Sequence, residues 1–116
     1  MPRKFDRVVR GRLSHEARAA FSRYLFDGRR VKGWSQERTA EAAAGALAAH
    51  LAVDKVIPEE ERTAMAAVEI TWQHVAGLEG CPAFPLGSPE RRARVLGIVL
   101  ALGLDRAKIN HLAGGI

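Results

Sequence analysis

The chain has 116 residues, a net charge of +5, seven aromatic residues and a single cysteine. This length predicts one domain with a modest core. One cysteine excludes an intramolecular disulfide, and such sparse use is typical of a reducing compartment. The N-terminus lacks the apolar core of a signal peptide, and the longest apolar run, residues 95–104, is too short to span a bilayer. We therefore expect a cytoplasmic protein with no membrane partner.

Charge is distributed unevenly along the chain. Residues 1–38 contain eleven basic and four acidic residues, residues 39–87 contain two and seven, and residues 88–116 contain five and two. A basic–acidic–basic order is typical of a chain in which two segments meet a polyanion and the middle does not. The alternative is a surface enriched in arginine by genome composition alone.

Residues 1–13 form a basic arm without helical periodicity. If residues 8–13 form a strand, Arg10 and Arg12 lie on one face. The segment is then a short β-ribbon, or an arm that orders on phosphate and adds minor-groove contacts. A disordered tail without a partner is the alternative. The candidate DNA contacts in the arm are Arg3, Lys4, Arg7, Arg10 and Arg12.

Residues 14–27 are predicted to form the first helix, with Ser14 as its N-cap and an apolar stripe on one face. Gly28 is a natural stop, so residues 28–34 are predicted to form a loop. Flexible backbone with dense positive charge suits phosphate contacts. Trp34 either packs beneath the next helix, which is the favoured interpretation, or stacks on a base. The candidate phosphate contacts in this loop are Arg29, Arg30 and Lys32.

The order of basic strand, helix, loop and second capped helix resembles the ribbon-helix-helix repressors. In that family a dimer pairs its strands and lays them in the major groove, which would turn Arg10 and Arg12 toward the bases. The loop before Ser35 is longer than that family usually has, and Gly11 is a poor strand residue.

Residues 35–53 are predicted to form the second helix, capped by Ser35. The stretch GWSQERTAEAAAG resembles the opening of phage-repressor-type helix-turn-helix domains, through Gly33, Trp34, Ser35, Gln36, Glu37, Ala40 and Gly45. The resemblance implies that Gln36 approaches the DNA backbone and that a recognition helix follows Gly45. Gln36 and Arg38, at the start of this helix, are one candidate pair for base reading. The chain departs from the family after Gly45, where it reads ALAAHLAVD without polar reading residues.

A third helix is predicted from Pro58 to near Gly77 or Gly80, with glutamates that complement its dipole. Its apolar stripe is expected to contain Met65, Val68, Trp72, Val75 and Leu78. His74 is expected at the surface or half-buried. Residues 80–87 are predicted to form a loop, and Cys81 in it has no base nearby in sequence, so we do not expect a catalytic thiol.

Residues 88–103 are predicted to form the fourth helix, capped by Ser88 and apolar almost all round, so it should be the central buried helix. Gly97 and Ala101 would let another helix approach closely. Three arginines crowd the first turns and oppose the helix dipole, at a cost of roughly a few tenths of a kcal/mol each unless an anion or an acid meets them. They are Arg91, Arg92 and Arg94.

A short fifth helix, capped by Asp105, is predicted to complete the chain. With the fourth helix it resembles a helix-turn-helix, with Gly103 at the turn and apolar residues at Ile98, Leu102, Leu104, Ile109 and Leu112. Val99 stands where that motif normally has a small residue. The resemblance implies that Arg106, Lys108, Asn110 and His111 project outward, the first three as a second candidate set for base reading. An ordinary helical hairpin is the alternative.

No phosphate-binding loop, dinucleotide fingerprint or zinc-protease motif occurs in the sequence, and its four histidines fall on four different predicted helices. We therefore expect no catalytic residue, no metal and no cofactor, and hence no enzyme. The expected fold is all-α, with about five helices in one domain over residues 14–116 after the arm of residues 1–13.

The expected function is that of a DNA-binding, repressor-like transcriptional regulator of phage or mobile-element type, acting on double-stranded DNA. A homodimer would add affinity that one small module lacks. The alternative is a small helical protein-interaction module, an adaptor or inhibitor, that binds an acidic partner surface. RNA binding is also open, although no aromatic stacking platform is visible.

Overall fold

The computed structural model describes residues 14–82 and 85–112, and these residues form an all-helical fold. The expectation of an all-α fold is confirmed. The predicted arm, residues 1–13, lies outside the described residues. The helices are α1 (His15–Lys32), α2 (Gln36–Val53), α3 (Glu59–Ala66), α4 (Trp72–Leu78), α5 (Pro89–Leu102) and α6 (Arg106–Leu112).

Helix α1 is longer than predicted. Ser14 caps it as expected, since its side chain accepts a hydrogen bond from the Ala17 N–H. The helix passes through Gly28, however, and ends only at Gly33, which has a left-handed φ of 72°. The predicted loop over residues 28–34 was therefore wrong. Gly28 permits close packing instead, because a Cβ there would lie 2.8 Å from the Leu104 side chain.

Helix α2 begins and ends where the sequence predicts. The Ser35 side chain accepts a hydrogen bond from the Arg38 N–H at 3.0 Å, and the helix continues to Val53. It packs along α5, the most extensive helix pair of the fold. A Cβ at Gly97 would lie 2.7 Å from the carbonyl oxygen of Ala43, so the expected close approach at Gly97 is confirmed.

The predicted third helix is two shorter helices, α3 and α4, separated by residues 67–71. The prediction of one continuous helix was wrong. Val68, Ile70 and Thr71 are β-branched and lower the helical preference of this segment, and Ile70 packs against both apolar clusters of the core. Trp72 was expected in the apolar stripe but is 46% exposed.

Helix α5 lies at the centre of the fold, as predicted. Val95, Ile98, Val99 and Leu102 are buried in a cluster that α1, α2, α4 and α6 complete with Phe21, Leu25, Ala40, Ala43, Val75, Leu78 and Ile109. A smaller cluster surrounds Leu47, Leu51 and Ala93. None of the described helices is long and apolar enough to cross a membrane.

Candidate nucleic-acid interface

The C-terminal helical hairpin, α5 to α6, begins and turns as the sequence predicts. The Ser88 side chain accepts a hydrogen bond from the Arg91 N–H at 3.1 Å, with Pro89 as the first helical residue. Gly103 ends α5 with a left-handed φ of 70°, a conformation that glycine adopts without steric cost. The N–H of Leu104 then donates to the carbonyl of Val99 at 2.9 Å, which satisfies an otherwise open helix end.

The apolar positions that the helix-turn-helix resemblance predicts are covered in the structure. Ile98, Leu102 and Ile109 are 1%, 5% and 4% exposed. Leu104 and Leu112 are partly buried and pack against the same cluster. The hairpin therefore has an apolar inner side that contacts the rest of the fold and an outer side that faces solvent.

Helix α6 is held against α1. The Tyr24 hydroxyl accepts a hydrogen bond from the Asp105 N–H at 3.1 Å, and the side chain of Leu104 lies over Gly28. Lys108 Nζ is 4.9 Å from the centre of the Tyr24 ring, within cation–π range. Asp105 Oδ1 accepts from the Ala107 N–H at 2.9 Å and so caps the start of α6.

The outer side of α6 is basic in its described part. Arg106, Lys108 and His111 are exposed. Asn110 lies on the same helix, but its side chain is outside the described part of the structure. Arg106 and Lys108 are thus both exposed near the start of α6, Arg106 beside the groove that Ile109 also lines and Lys108 over the Tyr24 ring of α1.

Arg29, a predicted phosphate contact, and Gln36, a predicted base-reading residue, both bind one carboxylate of the protein itself. Arg29 Nε and Nη2 donate to Glu79 Oε2 and Oε1 at 2.7 and 3.0 Å, and Arg29 Nη1 donates to the Trp34 carbonyl at 2.9 Å. Gln36 Nε2 donates to Glu79 Oε1 at 3.1 Å. We call these residues the Glu79 cluster.

The Glu79 cluster joins three helix ends, the C-terminus of α1, the N-terminus of α2 and the C-cap of α4. The Arg29 and Glu79 side chains are only 14% and 8% exposed. Arg29 and Gln36 therefore use side-chain donors in hydrogen bonds within the protein. Sequence reasoning missed Glu79, because its partners are 50 and 43 residues away along the chain.

The remaining basic candidates near the α1–α2 junction are exposed and lie beside aromatic rings. Arg30 is 5.7 Å from the Phe26 ring centre. Lys32 and Arg38 are 5.4 and 4.9 Å from that of Trp34. Trp34 itself is half-buried and packs against the core, which supports the packing interpretation over a free stacking surface.

The positive charge of the chain is concentrated before α1. Residues 14–112 contain thirteen basic and twelve acidic residues, a net charge of +1, whereas residues 1–13 contain five basic residues and one acidic residue. The arm candidates, which lie outside the described residues, are Arg3, Lys4, Arg7, Arg10 and Arg12.

A groove of about 240 Å³ opens beside α6, between α3 and α5. Its lining is mostly apolar and includes Met65, Leu96 and Ile109, with Arg92, Arg106 and Glu61 as its charged members. Within residues 14–82 and 85–112, no three His, Cys, Asp or Glu side chains are grouped closely enough to hold a metal ion.

Comparisons with known proteins do not assign this chain to a family. No family model matches it, and neither the curated proteins nor the solved structures contain a significant match.

Proposed function

We propose that this protein binds double-stranded DNA as a small repressor-like regulator and reads bases with α6. The observation that carries the proposal is the hairpin of α5 and α6, with its left-handed Gly103, its covered apolar positions and the exposed Arg106 and Lys108. Guanidinium and ammonium groups on an exposed helix are the donors that pair with guanine edges in the major groove.

The proposed roles of the candidate residues differ with their surroundings. Phosphate contacts would come from the five basic residues before α1 and from Arg30, Lys32 and Arg38, which are exposed. Arg29 and Gln36 would instead support the interface from beneath, because the Glu79 cluster already uses their donors. Base reading would therefore belong to α6 rather than to the start of α2.

A duplex-selection experiment followed by a salt titration tests this proposal. Sequences selected from a random duplex pool should bind more tightly than unselected duplex, and log Kd should vary linearly with log salt concentration. The paired substitution R106Q/K108Q should weaken the selected site by about 1–3 kcal/mol per lost base contact and bring its affinity close to that of unselected duplex.

The matched control, R23Q/K55Q, removes two positive charges from exposed residues elsewhere. It should leave the preference for the selected sequence unchanged. Equal losses in both double variants would show that only overall charge matters, and no duplex affinity at low salt would refute DNA binding altogether.

A second candidate function is favoured by the groove beside α6. An apolar lining with Arg92 and Arg106 among its charged residues suits an amphipathic acidic segment of a partner protein. L96D should abolish binding of such a partner, since it places a like charge in the apolar lining. The same substitution should leave affinity for unselected duplex DNA nearly unchanged.

A further inference from the structure

A second cavity, about 180 Å³ in volume, lies between α4 and the first turns of α5. Its polar lining consists of Gln73 and His74 from α4 and of Arg91 and Arg94 from α5. No carboxylate belongs to the described lining. Two guanidinium groups, an amide and an imidazole thus meet at one cavity, and all four can donate hydrogen bonds.

The arginines of this cavity are in an unfavourable place on their own helix. Arg91 lies in the first turn of α5 and Arg94 in the next, where positive charge opposes the helix dipole. Arg94 Nε donates to the backbone carbonyl of Glu69 at 2.9 Å. This hydrogen bond positions the guanidinium group and uses one of its five N–H donors. Arg91 and Arg94 thus bring two positive charges to the wall of the cavity.

One of the two ring nitrogens of His74, which lines the same cavity, is engaged within the fold. Its Nδ1 accepts a hydrogen bond from the Thr71 backbone N–H at 3.0 Å. Because a backbone N–H only donates, Nδ1 carries no proton in this arrangement, and the neutral ring is protonated at Nε2. Nε2–H is then the ring donor that Thr71 leaves unused.

The charges around His74 also favour an anion. Desolvation by burial lowers its pKa below 6.5, the positive charge of Arg94 lowers the pKa further, and Glu69 acts in the opposite direction. An anion bound beside the ring would reverse the effect of Arg94 and raise the pKa of His74.

We propose that the cavity formed by Gln73, His74, Arg91 and Arg94 binds a phosphate group. These four side chains line one small cavity, and planar guanidinium groups bind phosphate oxygens in pairs. The phosphate is either a free one, inorganic or on a small molecule, or one from the backbone of a nucleic acid. The site does not depend on the proposed DNA reading by α6, because α6 does not line it.

Titration of the full chain with inorganic phosphate at constant ionic strength tests the site. The ring resonances of His74 should shift saturably, with a Kd on the order of 1 mM, and the pKa of His74 should rise when phosphate is bound. Sodium chloride alone should do neither. Absence of a saturable shift in the His74 resonances would overturn the proposal.

Two arginine substitutions on α5 provide a matched pair. R94Q should weaken phosphate binding about tenfold or more, since it removes a charge-assisted donor. R92Q removes the same charge from a residue of α5 that lines the other groove, and it should leave phosphate binding unchanged. Equal weakening by R92Q and R94Q would show a diffuse charge effect and overturn the assigned site. Circular dichroism of each variant establishes that the helices remain formed.

Addition of duplex DNA to the phosphate-loaded protein distinguishes the two sources. Release of bound phosphate, followed by its ³¹P resonance, would assign the site to the nucleic-acid backbone. Retention of phosphate on the DNA-bound protein would assign it to a free phosphate or a phosphorylated small molecule. A protein that binds phosphate at His74 but no duplex would refute the proposed DNA function and keep this site.

Discussion

Replacing Glu79 with glutamine tests how strongly the Glu79 cluster stabilises the fold. The Glu79 carboxylate receives two hydrogen bonds from Arg29, at 2.7 and 3.0 Å, and one from Gln36 at 3.1 Å. E79Q keeps the size of the side chain but leaves a guanidinium that is only 14% exposed without its counter-charge. Breaking one partner of such a buried pair costs about 3 kcal/mol. For a domain of this size, we expect Tm to fall by roughly 12 °C or more.

Urea unfolding followed by circular dichroism measures the free energy of unfolding directly. E41Q is the control, because Glu41 is exposed on α2 and its loss should change stability by less than about 0.5 kcal/mol. A double-mutant cycle with R29Q should give a coupling energy above about 1 kcal/mol. A cost for E79Q below about 1 kcal/mol, or additive effects of E79Q and R29Q, would show that this ion pair behaves like a solvated surface pair and refute the reasoning.

Three further predictions concern packing, the docking of α6 and pH. G97A should lower the free energy of unfolding by about 1–3 kcal/mol, because the new Cβ would lie 2.7 Å from an α2 carbonyl oxygen. G45A is the control: a Cβ there has nothing within 4 Å, so this substitution should raise the free energy of unfolding by about 0.5–1 kcal/mol. A G97A variant more stable than G45A would contradict the close approach at Gly97. Y24F should cost about 1 kcal/mol, because the Asp105 N–H loses its acceptor, and amide exchange should accelerate in α6 and not in α2. The pKa of His74 is lower than 6.5 in the fold, so the unfolded chain binds the proton first as the pH falls. The free energy of unfolding should therefore decline below about pH 6.5 until the folded-state pKa is passed. H74Q should remove this part of the pH dependence.

The starts of α1, α2, α5 and α6 were predictable because the residues that cap them lie within three positions of their targets. Ser14, Ser35 and Ser88 each accept a hydrogen bond from the backbone N–H three residues later. The apolar pattern of α5 similarly predicts its central position, because a helix that is apolar on most sides has to be covered on most sides. Gly103 was recognisable as a turn because its left-handed conformation is a local property.

The candidate interface was only partly predictable. The apolar positions of the α5–α6 hairpin follow the sequence pattern, and Arg106 and Lys108 are exposed as expected. The basic stretch that begins with Arg29 was different, because charge alone does not distinguish a solvated arginine from one that is paired within the fold. The carboxylate that pairs with Arg29 belongs to Glu79, 50 residues further along the chain.

The sequence by itself therefore determined the all-helical class, the N-caps of α1, α2, α5 and α6 and the identity of the central helix, because each depends on local hydrogen bonds or on the period of the apolar pattern. Tertiary structure decided the rest. In it, α1 continues through Gly28, where Leu104 packs against the helix. The tertiary structure also places Ile70 of the break between α3 and α4 against both apolar clusters, and ties Arg29 and Gln36 to Glu79. Each of these outcomes depends on partners from distant parts of the chain, which no local pattern encodes.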